Sequence, residues 1–201
     1  LAGTWASITR SLPGGNQQVV GQHRHPTTDA ELRFRLLWNN PFVHSSVVFR
    51  RDAFEAAGGY GTDPATSWPE DYDLWSRLMD FGTLANLPEV LVEYRQSPEG
   101  ISQLNQERMR SGVVRIASRN LAQATGRDSD DPVIVAIARA LNSQATPRVG
   151  FPELSRRMSA FAAAAVHQTR RPGVGLMADQ LRMSGKLLVR SLMPVRDSLM
   201  P

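Results

Sequence analysis

Along the first hundred residues the apolar positions change period several times, and each change marks an element. Residues 4–10 and 17–22 alternate around Pro13-Gly14-Gly15-Asn16. Glycine and asparagine supply the positive φ of a tight turn, so the two runs predict a β-hairpin. His23-Arg24-His25-Pro26 reads as a loop, after which Leu32, Phe34, Leu36, Leu37 and Trp38 predict a helix capped by Thr28 or Asp29 and stopped by Asn39-Asn40-Pro41. Residues 45–50 carry the β-branched run of a strand. Asp52 and Glu55 then have capping-box spacing for a short helix closed by Gly58.

Residues 67–78, Ser-Trp-Pro-Glu-Asp-Tyr-Asp-Leu-Trp-Ser-Arg-Leu, gather three carboxylates and two tryptophans at the start of a helix. Ser67 and Glu70 form a capping-box pattern, and Pro69 suits the first turn because it has no N–H to leave unpaired. Leu74 and Leu78, with Trp75 and Met79, make an apolar face at i, i+4 spacing. Asp73 and Arg77 are set to pair on the solvent side. Asp71 is left without a structural task. The positive end of the helix keeps such a carboxylate ionised and fit to take a proton from a hydroxyl, although all three acids also favour a helix start for its own sake. The helix is expected to end at Gly82, with strands over residues 83–87 and 90–94 broken at Pro88.

Beyond residue 102 the pattern becomes helical, with helices predicted over 103–124, 132–143, 152–168 and 174–192 between turn-forming stretches. The expected division is residues 1–102 as an α/β domain and 103–201 as an α-helical C-terminal extension. The net charge of +4 is unevenly spread, since residues 148–201 carry +6 and the rest −2. Bundle packing is the expected explanation of that amphipathic basic tail, with peripheral contact with an anionic membrane surface as its alternative, and nucleic acid is not the expected partner. There is no cysteine, which excludes disulfides and thiolate chemistry, and no apolar run near 20 residues. A truncated cytoplasmic protein, peripheral at the inner face of the plasma membrane, is the expected setting.

The hexapeptide Glu70-Asp71-Tyr72-Asp73-Leu74-Trp75 matches, letter for letter, the Glu-Asp motif that opens a helix in the family-two glycosyltransferases of GT-A fold. Two further blocks agree in order and spacing: residues 40–51 running into Ala56-Ala57-Gly58-Gly59-Tyr60, and residues 84–95. Over residues 1–102 the chain therefore resembles the acceptor-side half of that family, and the expected fold class is α/β, a partial GT-A domain followed by helices. The resemblance implies transfer of a sugar from a nucleotide-sugar donor to a hydroxyl acceptor, glycan or lipid-linked, inverting the anomeric centre with Asp71 as general base. It implies substrate contacts for Glu70, His44, Trp68 and Arg95. A divalent metal, magnesium or manganese, is expected in the full-length enzyme, but its Asp-x-Asp ligands and the nucleotide-binding half are not in this chain.

Asp71-Tyr72-Asp73 and Asp128-Ser129-Asp130 both spell Asp-x-Asp, but neither follows an apolar strand as that metal motif does. His23, His25 and His44 would need further ligands to hold zinc. Arg95 follows Tyr94 where relatives often read Tyr-Arg-x-His; here Ser97 stands in place of the histidine, which weakens metal coordination while leaving Arg95 able to face a phosphate. Trp68, Trp75 and Tyr60 flank the acids. A sugar ring stacks well on an aromatic face, whereas Trp75 belongs to the apolar side. The rival function is a non-catalytic binding module, a degenerate transferase scaffold whose basic tail meets a partner or membrane.

Overall fold

The computed structural model describes residues 1–63, 68–97, 100, 105–142 and 144. Strand β1 (Ala2–Ser11) turns back into β2 (Gln17–His23) as an antiparallel hairpin, with Gly14 and Gly15 at φ 94° and 87°. Strand β3 (Ala85–Gln96) lies parallel on the other side of β1, giving the order β2-β1-β3. The expected break at Pro88 does not occur. Register shifts opposite Thr4, Trp5 and Ala6 absorb the extra residues, and a proline tolerates such bulges because no ladder bond is asked of its nitrogen.

The helix α1 (Asp29–Leu36) begins as expected at Thr28. The Thr28 hydroxyl accepts the Glu31 N–H and donates to the Glu31 carboxylate at 2.7 Å, a reciprocal cap. The strand expected over 45–50 is not formed. A 3₁₀ turn takes His44–Ser46, where the Ser46 hydroxyl bonds the Val43 carbonyl, and Val48 makes a lone two-bond bridge with Ala2. Local hydroxyl bonding to the backbone thus outweighs the β-branched run. Helix α2 (Arg51–Ala56) starts from Arg50 with no side-chain cap, so Asp52 sits inside the first turn and the expected Asp52–Glu55 box is absent.

The later helices are α3 (Glu70–Leu78), continued by a 3₁₀ turn at Met79–Phe81, α4 (Gln106–Thr125) and α5 (Pro132–Leu141). Gly126 closes α4 in the left-handed region at φ 64°, and Asp131 caps α5 by accepting the Val133 N–H ahead of Pro132. The helices expected over 152–168 and 174–192, and with them any membrane contact of the tail, lie outside the described residues. Among the described residues no helix is long and apolar enough to cross a membrane.

Two apolar clusters share α1 and α4. Leu32 and Leu36 pack with Phe42, Tyr72, Leu74, Trp75, Leu78, Leu84 and Ile116 beside the sheet. Phe34, Leu37 and Trp38 pack with Val114, Ala117 and Leu121 of α4 and with Ile134, Ile137 and Leu141 of α5. Helix α4 therefore fills a place in both cores. Three polar groups fasten the seam: the Tyr72 hydroxyl and the Asn120 amide both donate to the Leu36 carbonyl, and Asn120 also reaches the Ser76 hydroxyl at 2.8 Å. These bonds satisfy the C-terminal carbonyl of α1, which its own helix leaves unpaired.

Candidate functional site

The first turn of α3 carries the acids. Its N-cap is Pro69, in extended conformation and with no side-chain cap, and the Trp68–Pro69 peptide is cis. Ser67 lies outside the described residues, but with the cap at Pro69 the expected Ser67–Glu70 box does not apply: Glu70 is the first helical residue and not the third. The proline side chain offers no acceptor for the exposed N–H groups of the turn. Asp71 takes one of them, its Oδ1 accepting the Tyr72 N–H at 2.7 Å.

The other oxygen of Asp71 accepts from the Asn40 amide at 2.9 Å and lies 3.8 Å from His44 Nδ1, too far for a direct hydrogen bond. The Asp71 side chain is 17% exposed. Burial pushes its carboxyl above the ordinary aspartate range, and Glu70 adds to this, while the Tyr72 N–H, His44 and the Asn40 amide pull the other way. His44 is half exposed, and its Nε2 faces the Tyr60 hydroxyl at 3.3 Å. Burial, Asp71 and Glu70 together raise the Tyr60 phenol as well.

Asp73, two residues on, has a different fate. It was expected on the solvent side, yet its side chain is only 6% exposed. One oxygen takes Arg77 from the same helix at 2.8 Å and the other takes Arg119 of α4 at 2.5 Å. Arg77 in turn donates to the carbonyls of Ala57 and Gly59, and so sets the turn that presents Tyr60. The physical reason is α4: its packing against α3 covers a face that the α3 sequence alone leaves to water.

A cleft of about 610 Å³ opens at this turn. His44, Trp68, Glu70 and Asp71 all line it; Arg95 does not. Its neighbour Tyr94 faces the cleft instead, and side chains alternate along a strand, so Arg95 points from the other face of β3, exposed. His23, His25 and Tyr94 form the sheet-side wall, with the imidazoles stacked 5.8 Å apart and the tyrosine ring edge-on to His23 at 5.5 Å. Burial lowers both histidines, His25 to about 4 with help from His23 and Arg35, which favours the neutral imidazoles. Trp75 is fully buried and contributes packing, edge-on to Phe42 and His44.

Sequence reasoning missed the supports of the site. Asn40 was read as part of a helix stop and as the start of a matching block, not as a partner of Asp71, and Arg119, two elements away, carries no local signal. Asn86 is another: its buried amide donates to the Pro26 and Pro41 carbonyls and holds the loops leading to His25 and His44 against β3.

The described residues do not fit a resident metal. Asp73 is consumed by two guanidinium groups, which turns the Asp71-Tyr72-Asp73 pair into one cleft acid and one structural acid. Among the described residues no group of three or more histidine and acidic side chains is gathered closely enough to hold an ion.

In sequence the chain is 36% identical, over 80 residues, to the amylovoran biosynthesis glycosyltransferase AmsE of Erwinia amylovora. The match takes in 39% of this chain and 29% of that protein, so the chain spans under a third of the relative's length. No protein-family model matches the chain, and no solved structure matches it.

Proposed function

We propose that this chain supplies the acceptor side of a glycosyltransferase and that Asp71 is its general base. The observation that carries the reading is the position of the Asp71 carboxylate: on the first turn of a helix, lining a cleft, held by one amide and one backbone N–H, and bridged by a hydrogen bond to no cation among the described residues. The sequence match to a glycosyltransferase supports it, and so does the motif at residues 70–75.

In this reading an acceptor hydroxyl enters the cleft and gives its proton to Asp71 as its oxygen attacks the anomeric carbon of a nucleotide-sugar. The new glycosidic C–O bond forms while the C–O bond to the diphosphate breaks, and the nucleoside diphosphate leaves with the electron pair. Attack from the face opposite the leaving group inverts the centre. A carboxylate made more basic than an ordinary aspartate by burial suits the role, because proton transfer improves as the base's pKa approaches the working pH. His44 and Glu70 are placed to orient acceptor hydroxyls, and Trp68 to meet a ring face. The nucleotide contacts and the divalent metal belong, in this proposal, to residues beyond those described, and no step here runs through the metal.

The test is turnover of the longer protein on a panel of nucleotide-sugars, read as release of nucleoside diphosphate. Asp71→Asn keeps the shape and the Asn40 contact and removes the basicity. It is expected to lower the rate about 10² to 10⁴-fold with little change in melting temperature. Near-normal turnover in that variant would withdraw the assignment.

A further inference from the structure

Helix α4 reaches the acidic turn at a point that the acceptor-site reading does not use. Gly112, buried inside α4, lies so close to the loop before α3 that a Cβ on it would stand 2.1 Å from the Trp68 carbonyl oxygen, 2.9 Å from the carbonyl carbon and 3.0 Å from the Pro69 ring. Contacts that short do not occur, so any side chain there forces the two segments about 1 Å or more apart. The same carbonyl accepts a hydrogen bond from Arg115 at 2.8 Å. One turn before Gly112, Arg108 lies over the Trp68 ring at 5.3 Å. One turn after Arg115, Arg119 grips Asp73.

Glycine inside a helix is less favourable than alanine, so helix formation alone does not explain residue 112. Close approach to a carbonyl does. The Trp68 carbonyl belongs to the peptide that enters Pro69, the cap of the helix whose second residue is Asp71. We propose that Gly112 and Arg115 are positioning residues: by seating the Trp68 carbonyl on α4 they fix the entry of α3 and with it the depth at which the Asp71 carboxyl lies in the cleft. The proposal rests on the reading of Asp71 as a working group only for its effect on turnover.

The experiment has two arms. Carboxyl ¹³C titration of Asp71 is recorded in the 201-residue chain for the parent, Gly112→Ala, Arg115→Gln and Arg115→Lys, each checked for folding by thermal melting. Alanine pushes the loop off α4 and lets water reach the turn, so the Asp71 midpoint is expected to fall back toward the ordinary aspartate range. Arg115→Gln is expected to shift it the same way, and Arg115→Lys, which still donates, to retain most of the parent value. In the second arm the longer enzyme is assayed, where a displacement of this size is expected to lower kcat about 10²-fold with little change in KM. Should Gly112→Ala fail to fold, Arg115→Gln carries the test, since it introduces no clash. Folded variants that both titrate as the parent does overturn the proposal. A shifted titration with unchanged turnover upholds the clamp and removes Asp71 from the chemistry, which separates the two readings.

Discussion

Asp71 and Asp73 stand two residues apart on one helix turn and do opposite things. Two residues is a rotation of roughly 200° about a helix axis, so one carboxylate faces the cleft and the other the seam with α4. Asp73 meets two guanidinium groups in charge-assisted bonds. Asp71 receives one amide and one N–H, and His44, its near cation candidate among the described residues, stays 3.8 Å away. A fully compensated acid holds structure; an under-compensated one keeps lone pairs and basicity for something else.

The contrast is broken most sharply by exchanging each acid for its amide. Asp71→Asn is expected to reduce turnover by about 10² to 10⁴ while leaving the melting curve nearly unmoved. Asp73→Asn is expected to lower stability by about 2 kcal/mol, measured by urea unfolding: breaking a buried pair costs more, but both arginines are partly exposed and water relieves them. If Asp73→Asn unfolds no more easily than Asp71→Asn, the division of labour is wrong. Removing Arg119 along with Asp73 is expected to cost about 1 kcal/mol less than the separate effects combined, because the two share one interaction.

A finer effect concerns pH. The folded-state value of Asp71 is raised above its ordinary 3.8, so ionisation opposes folding. The stability favoured by the protonated carboxyl is intact below 3.8 and is lost as pH rises through the folded value. Asp71→Asn does not titrate, so relative to the parent it is expected to gain stability across that window and then hold the advantage constant. The acid limb of the parent's turnover is expected to lie above the ordinary aspartate range, since the base must be ionised. Glu70→Gln is expected to change stability least, because Glu70 caps nothing here, and to move the acid limb down, because its charge helps to raise Asp71.

Locally encoded features were readable. The hairpin follows from Gly14-Gly15, α1 from Thr28 and Glu31, and the acids of α3 from their spacing. Features set by distant partners were not. The burial of Asp73 depends on Arg119, 46 residues away, and the placing of Asp71 depends on Asn40, 31 residues before it. The strand read at residues 45–50 failed for a related reason, because a β-branched run becomes a strand only where a neighbouring strand pairs with it, and here β1 offers a single bridge at Ala2. Arg95 was named by its place in a motif, but the pleat of β3 gives the cleft to Tyr94.

The parallel pairing of β1 with β3 has a consequence for the order in which the molecule assembles. The hairpin closes a short loop, on the order of microseconds for such a unit, whereas joining Ala2 to Ala85 and Arg10 to Gln96 closes a loop of about eighty residues that contains β2, α1, α2 and the whole of α3. Non-local strand pairing of this kind is slow. The cleft has Tyr94 on one wall and Asp71 on another, so it cannot exist before that pairing, and the hairpin is expected to form ahead of it. Limited proteolysis during refolding would therefore find the hairpin protected first and the turn at Asp71 last.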